Sequence, residues 1–321
     1  MMTYIIRRLL LVPVLLLGIT FISYAMFNLA PGDPISAMID PADPLFQVPG
    51  EREAALERLG LNKPMYVRYA LWLTQAARGN FGFSFASKKP ILSEIMRVLP
   101  ATLLLQVTSI FLAIILGIVL GVVAAIKQYS LLDNALTFGA FFGISIPAFF
   151  FALMGIYIFA VRLHWLPIGG MWTPTKPTVL NLDLLRHLIL PAGVSCILHI
   201  AGYMRYARAS TLDVLHADFV TTARAKGLAE KVVIGRHVFR NALLPLVTIL
   251  GLSLPSLLGG SFIIESIFSW PGMGMLGYTA LLQRDYPMQM GVALMSATLV
   301  LLANLLADVA YAVADPRVRY Q

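Results

Sequence analysis

The chain alternates long apolar runs with short polar ones, and six runs are long enough to cross a bilayer. They cover Leu9–Leu29, Ala101–Ile126, Ala135–Val161, Leu188–Tyr206, Ala242–Ile264 and Met290–Val313. About 20 residues at 1.5 Å of rise span the roughly 30 Å hydrocarbon layer. In lipid each such run is expected to be a helix, because a helix satisfies its own backbone hydrogen bonds. The pattern therefore predicts an all-α integral membrane protein with six transmembrane helices. Two polar regions interrupt it. Between the first two spans, Glu51–Leu59 and Pro64–Ala77 read as helices and Asn80–Ser87 as a Gly- and aromatic-rich loop. Between the fourth and fifth spans lies a charged, helix-prone island, Asp218–Leu244.

Composition agrees with lipid as the solvent. Of 321 residues, 59% are hydrophobic and 12% charged, against about 25% charged in an ordinary soluble domain. Mean hydropathy is +0.80. The net charge of +8 belongs to topology rather than to nucleic acid, because many Lys and Arg residues flank the apolar runs. Arg7, Arg8, Lys127, Arg205, Arg208, Arg224, Lys226, Lys231, Arg236, Arg240, Arg317 and Arg319 fall on one side. The two short loops on the other side hold only Arg162, Lys176, Arg186 and Arg284. Both termini are thus expected in the cytoplasm, with the first span kept as an anchor. The segment 30–100 would form a small extracytoplasmic cap, 101–314 a five-helix core and 315–321 a cytoplasmic tail. The lone Cys196 excludes a disulfide within the chain.

The island carries the chemistry. Asp218 reads as an N-cap for a helix over Phe219–Lys226, Gly227 as its positive-φ stop, and Glu230–Asn241 as a second helix. Thr222, Ala223, Lys226 and Gly227 share a face on which a partner protein could approach the backbone, with Arg224 and Lys226 as charged edge contacts. A solvated inner loop that only obeys the positive-inside rule is the plainer reading. Elsewhere, Gly251, Gly259, Gly260 and Ser261 are small residues on the fifth span, read either as close packing or as a ligand path. Pro147 and Pro255 each permit a kink. Glu265 reads as a contact for a peptide amino terminus or as a loop anchor. His199 reads as an interhelical hydrogen bond and Asp308 as a structural pairing near the inner face. Arg205 and Arg208 read as inner-face anchors. The aromatic loop Trp270-Pro-Gly272, with Tyr278 and Tyr286, reads as interface aromatics or as a re-entrant gate.

Several motifs, in order along the chain, resemble one family. Ala223-Arg-Ala-Lys-Gly227 followed by Arg240-Asn-Ala-Leu-Leu-Pro245 looks like the "EAA" loop of ATP-binding-cassette importer permeases. Tyr4–Arg8, Ala30-Pro-Gly-Asp-Pro34, Arg78-Gly-Asn-Phe-Gly82, Leu99-Pro-Ala-Thr-Leu103, Ser145-Ile-Pro147, Glu265–Gly272, Arg284-Asp-Tyr-Pro287 and Asp315–Arg319 extend the likeness over nearly the whole chain. Together they are similar to the B-type subunit of the dipeptide/oligopeptide (and nickel) permease family. One departure is that Thr221-Thr222-Ala223 stands where the family pattern has Glu-Ala-Ala.

The resemblance implies a type I importer (MetI-like) fold in a bacterial or archaeal plasma membrane. It implies a second, homologous permease, two cytoplasmic ATPases and an extracytoplasmic peptide-binding protein. The loop 209–241 would couple to the ATPases through Asp218, Thr221, Thr222, Ala223, Arg224, Lys226 and Gly227. Ser145, Pro147, Pro255, Gly259, Gly260, Ser261 and Glu265 are candidates for the path and gate. The chain itself is expected to bind no cofactor, leaving ATP and magnesium to the partner subunits. No Lys is followed by Ser or Thr, so a phosphate-binding P-loop is absent. A nickel-chelate permease of the same family and an ion-gradient-driven secondary transporter are the alternatives. The latter class shows inverted repeats and mid-membrane charges; this chain has no convincing repeat, and mid-span carboxylates are scarce.

Overall fold

A computed structural model describes residues 2–29, 62–173, 182–243 and 261–314. Helices dominate throughout: α1 (Met2–Leu29), α2 (Met65–Ala77), α3 (Ile91–Ile126), α4 (Leu131–Ser145), α5 (Ala148–Gly155), α6 (Leu182–Leu215), α7 (Asp218–Ala225), α8 (Glu230–Val232), α9 (Phe262–Ile267), α10 (Met273–Leu282) and α11 (Tyr286–Ala314). Wider π-type turns prolong α5 over Ile156–Arg162 and α8 over Val233–Val238. Among the described residues the sole strand-like pairing is one bridge, Phe83 to Pro90, in the expected Asn80–Ser87 region.

Five of the six expected spans fall on described helices. Four are single helices, and the third is a bent pair, α4 with α5 and its π turn. Most of the fifth, Ala242–Ile264, lies outside the described residues, as does Glu51–Leu59 of the cap. The helices outrun the apolar windows. The 36 residues of α3 reach about 54 Å, and its first turns carry Glu94 paired with Arg97 at 2.7 Å and Lys89 at 3.7 Å. Charged, exposed turns of this kind belong outside the hydrocarbon, so lipid need cover only the later part, from near Ala101.

The third span corrects an expectation. A kink at Pro147 becomes a complete break, with the two halves at 101°. Proline disfavours the helical region for the residue before it, and Ile146 is extended at φ −92°, ψ 134°.

The core is the parallel contact of α3 and α6. Ala101 and Leu105 share a cluster with Leu184, Leu188 and Val194 near the two N-terminal ends. Farther along, Gly117 and Gly121 let the backbones approach: a Cβ at Gly117 would lie 2.6 Å from Tyr203 Cβ, and one at Gly121 would collide with the Met204 carbonyl. This is a Gly-x-x-x-Gly contact on the second span; the small residues singled out on the fifth span, Gly251, Gly259 and Gly260, lie outside the described residues. At the other flank α11 lies against α3 and α1. The Leu29 end of α1, the Tyr286 end of α11 and the Ile91 end of α3 gather at one end of the bundle. The α6–α7 junction lies at the opposite end.

Candidate functional site

The charged island folds as a hairpin. Asp218 is the first residue of α7 rather than its cap; Ala217 holds the cap position and makes no side-chain cap bond. The Asp218 carboxylate still lies in the first turn, where the helix dipole favours it. The helix ends at Gly227, whose φ is +76°. Gly227 N–H donates to the Arg224 carbonyl at 2.9 Å and Leu228 N–H to the Ala223 carbonyl at 3.4 Å. These two bonds form a Schellman stop, so the positive-φ glycine is required there.

One face of the hairpin is sealed. Val220, Val233 and Val238 are fully buried, and together with Ala223, Val214 and Leu215 they form a small apolar cluster. Ala223 therefore faces inward with Val220 by i, i+3 spacing, and does not lie on an open face with Thr222 as expected. The open face carries Phe219, Thr222 and Lys226, with Leu228 and Val232 beside them; Phe219, Leu228 and Val232 are each more than 40% exposed. Thr221 and Gly227 are exposed too. The Thr222 hydroxyl donates to the Asp218 carbonyl.

Arg224 differs from the expectation of a free edge contact. Its Nη2 lies 2.8 Å from Glu230 Oε1 and its Nε 3.3 Å from Oε2, closing the hairpin across the Gly227 turn. That guanidinium holds the Glu230 carboxyl below its ordinary range.

Two further ties anchor the hairpin end of the bundle. Ser210 Oγ donates to the Ala242 carbonyl at 2.8 Å, joining α6 to the chain that leaves the hairpin. Arg208 makes two bonds of 2.8 and 2.7 Å to Asp133, which is 2% exposed. Asp133 also closes a reciprocal cap with Ser130 and the Tyr129 N–H at the start of α4. Arg208 is thus half of a buried ion pair and not simply an interfacial anchor. Arg205 lies over the Tyr206 ring, 5.6 Å from its centre.

Of the candidate path residues, the structure describes Ser145, Pro147, Ser261 and Glu265. Ser145 and Pro147 sit at the exposed bend, with the Ser145 hydroxyl donating to the Phe141 carbonyl of its own helix. Ser261 caps α9, accepting from Ile264 N–H. Gly251, Pro255, Gly259 and Gly260 lie outside the described residues.

Glu265 resolves to the anchor reading. It is fully buried at the end of the bundle away from the hairpin. One oxygen accepts from Thr102 Oγ1 at 3.1 Å and the other from Met275 N–H at 2.9 Å, capping α10. Thr102 Oγ1 in turn accepts from Met273 N–H at 2.7 Å. Gly272 and Gly274 lie so close that a Cβ on either would press on the carboxylate. Trp270 is equally buried, with its indole N–H donating to the Ala101 carbonyl at 2.8 Å, so it is a packed core residue and not an interface aromatic.

The remaining candidates are local. His199 Nδ1 pairs with the Ser195 carbonyl of its own helix at 2.8 Å, where an interhelical contact was expected. Asp308 is half-buried on α11, and Tyr278 stacks on Phe262 at 5.9 Å.

Two residues escaped the sequence reading. Asp133 had a signal in Ser130-x-x-Asp133, a capping pattern. Asp285 had none beyond its place in a motif; it is buried and accepts from Ser84 Oγ and from the Phe85, Ala86 and Met288 N–H groups.

The model of the "Binding-protein-dependent transport system inner membrane component" family matches residues 117–320, and the model of its N-terminal region matches residues 1–106. The chain is 46% identical to the oligopeptide transport system permease protein AppB of Bacillus subtilis, with 100% of both chains covered. It is 38% identical to the dipeptide transport system permease protein DppB of Alkalihalophilus pseudofirmus and 36% identical to DppB of Escherichia coli K12, again over 100% of each. A solved inward-facing MetNI methionine ABC transporter aligns with 72% of this chain and 97% of its own, at 16% identity and a TM-score of 0.49.

Proposed function

This chain belongs to the family of binding-protein-dependent transport system inner membrane components, and we propose that it is the permease subunit of an ATP-driven importer of di- or oligopeptides. An extracytoplasmic binding protein delivers the peptide. A second, homologous permease completes the path, and two cytoplasmic ATPases drive it. The hairpin on α7 and α8 receives their closure. The full-length relatives, an oligopeptide and two dipeptide transport system permeases, support the substrate class.

One observation carries the coupling role: a polar hairpin that is locked from behind and apolar in front. Exposed Phe219, Leu228 and Val232 gain about 1–2 kcal/mol each when a partner's cleft covers them. Behind them, the buried valines and the Ser210–Ala242 bond keep α7 from bending away under load. A push on α7 is then carried by α6, a helix of 34 residues. At its far end Leu184 and Leu188 share one cluster with Ile264, Phe268 and Trp270. ATP-dependent closure thereby biases two arrangements of the bundle through contacts that differ between them.

The test is reconstitution of the chain with its partner permease, ATPases and binding protein in proteoliposomes. Phe219→Asp is expected to abolish binding-protein-stimulated ATP hydrolysis and dipeptide uptake while the two permeases remain assembled. Unchanged uptake with this variant and with Gly227→Trp would remove the basis for the reading.

A further inference from the structure

The end of the bundle opposite the hairpin holds a cavity of about 380 Å³ between α1, α2, the loop after α2 and the start of α11. This falls in the size range of small-ligand sites. Its walls combine an aromatic and apolar body with unspent donors. Tyr24, Phe27 and Met290 supply the apolar surface. Arg68, Trp72 and Gln75 supply the polar surface. Arg68 Nε and Trp72 Nε1, on half-buried side chains, are both shut off from solvent, and among the described residues neither has a hydrogen-bond partner. Among the described residues no carboxylate lies within ion-pair distance of Arg68. Buried donors left unmet cost about 1–3 kcal/mol each, more where the group is charged. The wall therefore calls for an anionic acceptor carried on an apolar body.

Position narrows the source. The cavity sits at the ends of two membrane spans, α1 and α11. Most of the apolar window of α1 is exposed or half-buried, and Thr20 alone within it is fully buried. It is held to α2 by an aromatic ladder, Phe21, Tyr24, Tyr69 and Trp72, and by the Thr20–Tyr69 hydrogen bond. A site at that depth, flanked by lipid-facing helix, is reached from the membrane interface. There the abundant anion on an apolar tail is a phospholipid headgroup.

We propose that this cavity binds the phosphodiester of an anionic phospholipid, with Arg68 and Trp72 donating to the phosphate oxygens and an acyl chain lying along α1 and α11. The lipid then acts as mortar between α1 and the rest of the bundle.

Native mass spectrometry of the full-length chain in detergent, titrated separately with phosphatidylglycerol, phosphatidylcholine and diacylglycerol, tests this. Phosphatidylglycerol is expected to be retained about tenfold more tightly than diacylglycerol, and Arg68→Gln to remove that preference, as expected for one charge-assisted bond. Trp72→Phe, which keeps the packing, is expected to weaken retention several-fold. Arg162→Gln, at an exposed arginine outside the cavity, is expected to change nothing. Equal retention of phosphatidylglycerol and diacylglycerol, or retention indifferent to Arg68→Gln, overturns the proposal. So does displacement of the lipid by a tripeptide at matched concentration, which would assign the site to a peptide carboxylate instead.

Discussion

The two ends of the bundle each hold a carboxylate that stabilises a turn, and they do so in opposite ways. At the hairpin, Glu230 lies in the open and pairs with Arg224 across Gly227. At the far end, Glu265 is sealed among Thr102, Gly272 and the start of α10, and among the described residues no cation bonds to it. Exposed pairs contribute little, because water already solvates both partners. A buried carboxylate with two donors cannot be removed without stranding those donors. The difference separates an exposed turn, the surface we propose a partner protein covers, from a seam built to stay shut.

Substitutions that test this contrast rank by burial. Glu265→Ala leaves Met275 N–H and Thr102 unmet and opens a void, and should cost about 3–5 kcal/mol, read as a large drop in thermal midpoint in detergent. Arg208→Leu strands the buried Asp133 carboxylate and should cost about 3 kcal/mol, with Asp133→Asn in the same chain restoring part of it. Gly227→Val forces a β-branched residue to positive φ, at about 1–2 kcal/mol. That cost should appear as faster proteolysis confined to the hairpin. Arg224→Ala should change stability by under about 0.5 kcal/mol; a change as large as that of Glu265→Ala would erase the contrast.

Acid sharpens the same comparison. The Glu230 carboxyl is held below its ordinary value of 4.5 by Arg224. A depressed carboxyl contributes stability above its unfolded value, and that contribution fades as pH falls through the folded one. Protease sensitivity of the hairpin should therefore stay flat near neutral pH and rise only below about pH 4.5. A rise centred near neutrality would point to a histidine instead.

Much of the architecture was legible because lipid imposes a simple rule. Apolar runs of about 20 residues must be helices, and the helices on α1, α3, α6 and α11 contain the runs read from the sequence. The hairpin was legible for a local reason: a positive-φ glycine between two helix-prone segments needs no distant partner. Its facing was not. Thr222 and Ala223 are neighbours in sequence, and only the position of Val233 and Val238 turned one outward and the other inward.

By itself, the sequence determined the four unbroken spans on α1, α3, α6 and α11, the hairpin and its Gly227 stop, since each follows from hydropathy or backbone conformation within a few residues. Tertiary structure alone decided the partners of the buried charges: Asp133 with Arg208, 75 residues away, and Glu265 with Thr102, 163 away. It also turned the Pro147 kink into a break of 101° and brought Gly117 and Gly121 against α6. A one-dimensional pattern records which residues avoid water. It does not record which distant donor will meet a carboxylate once water is gone.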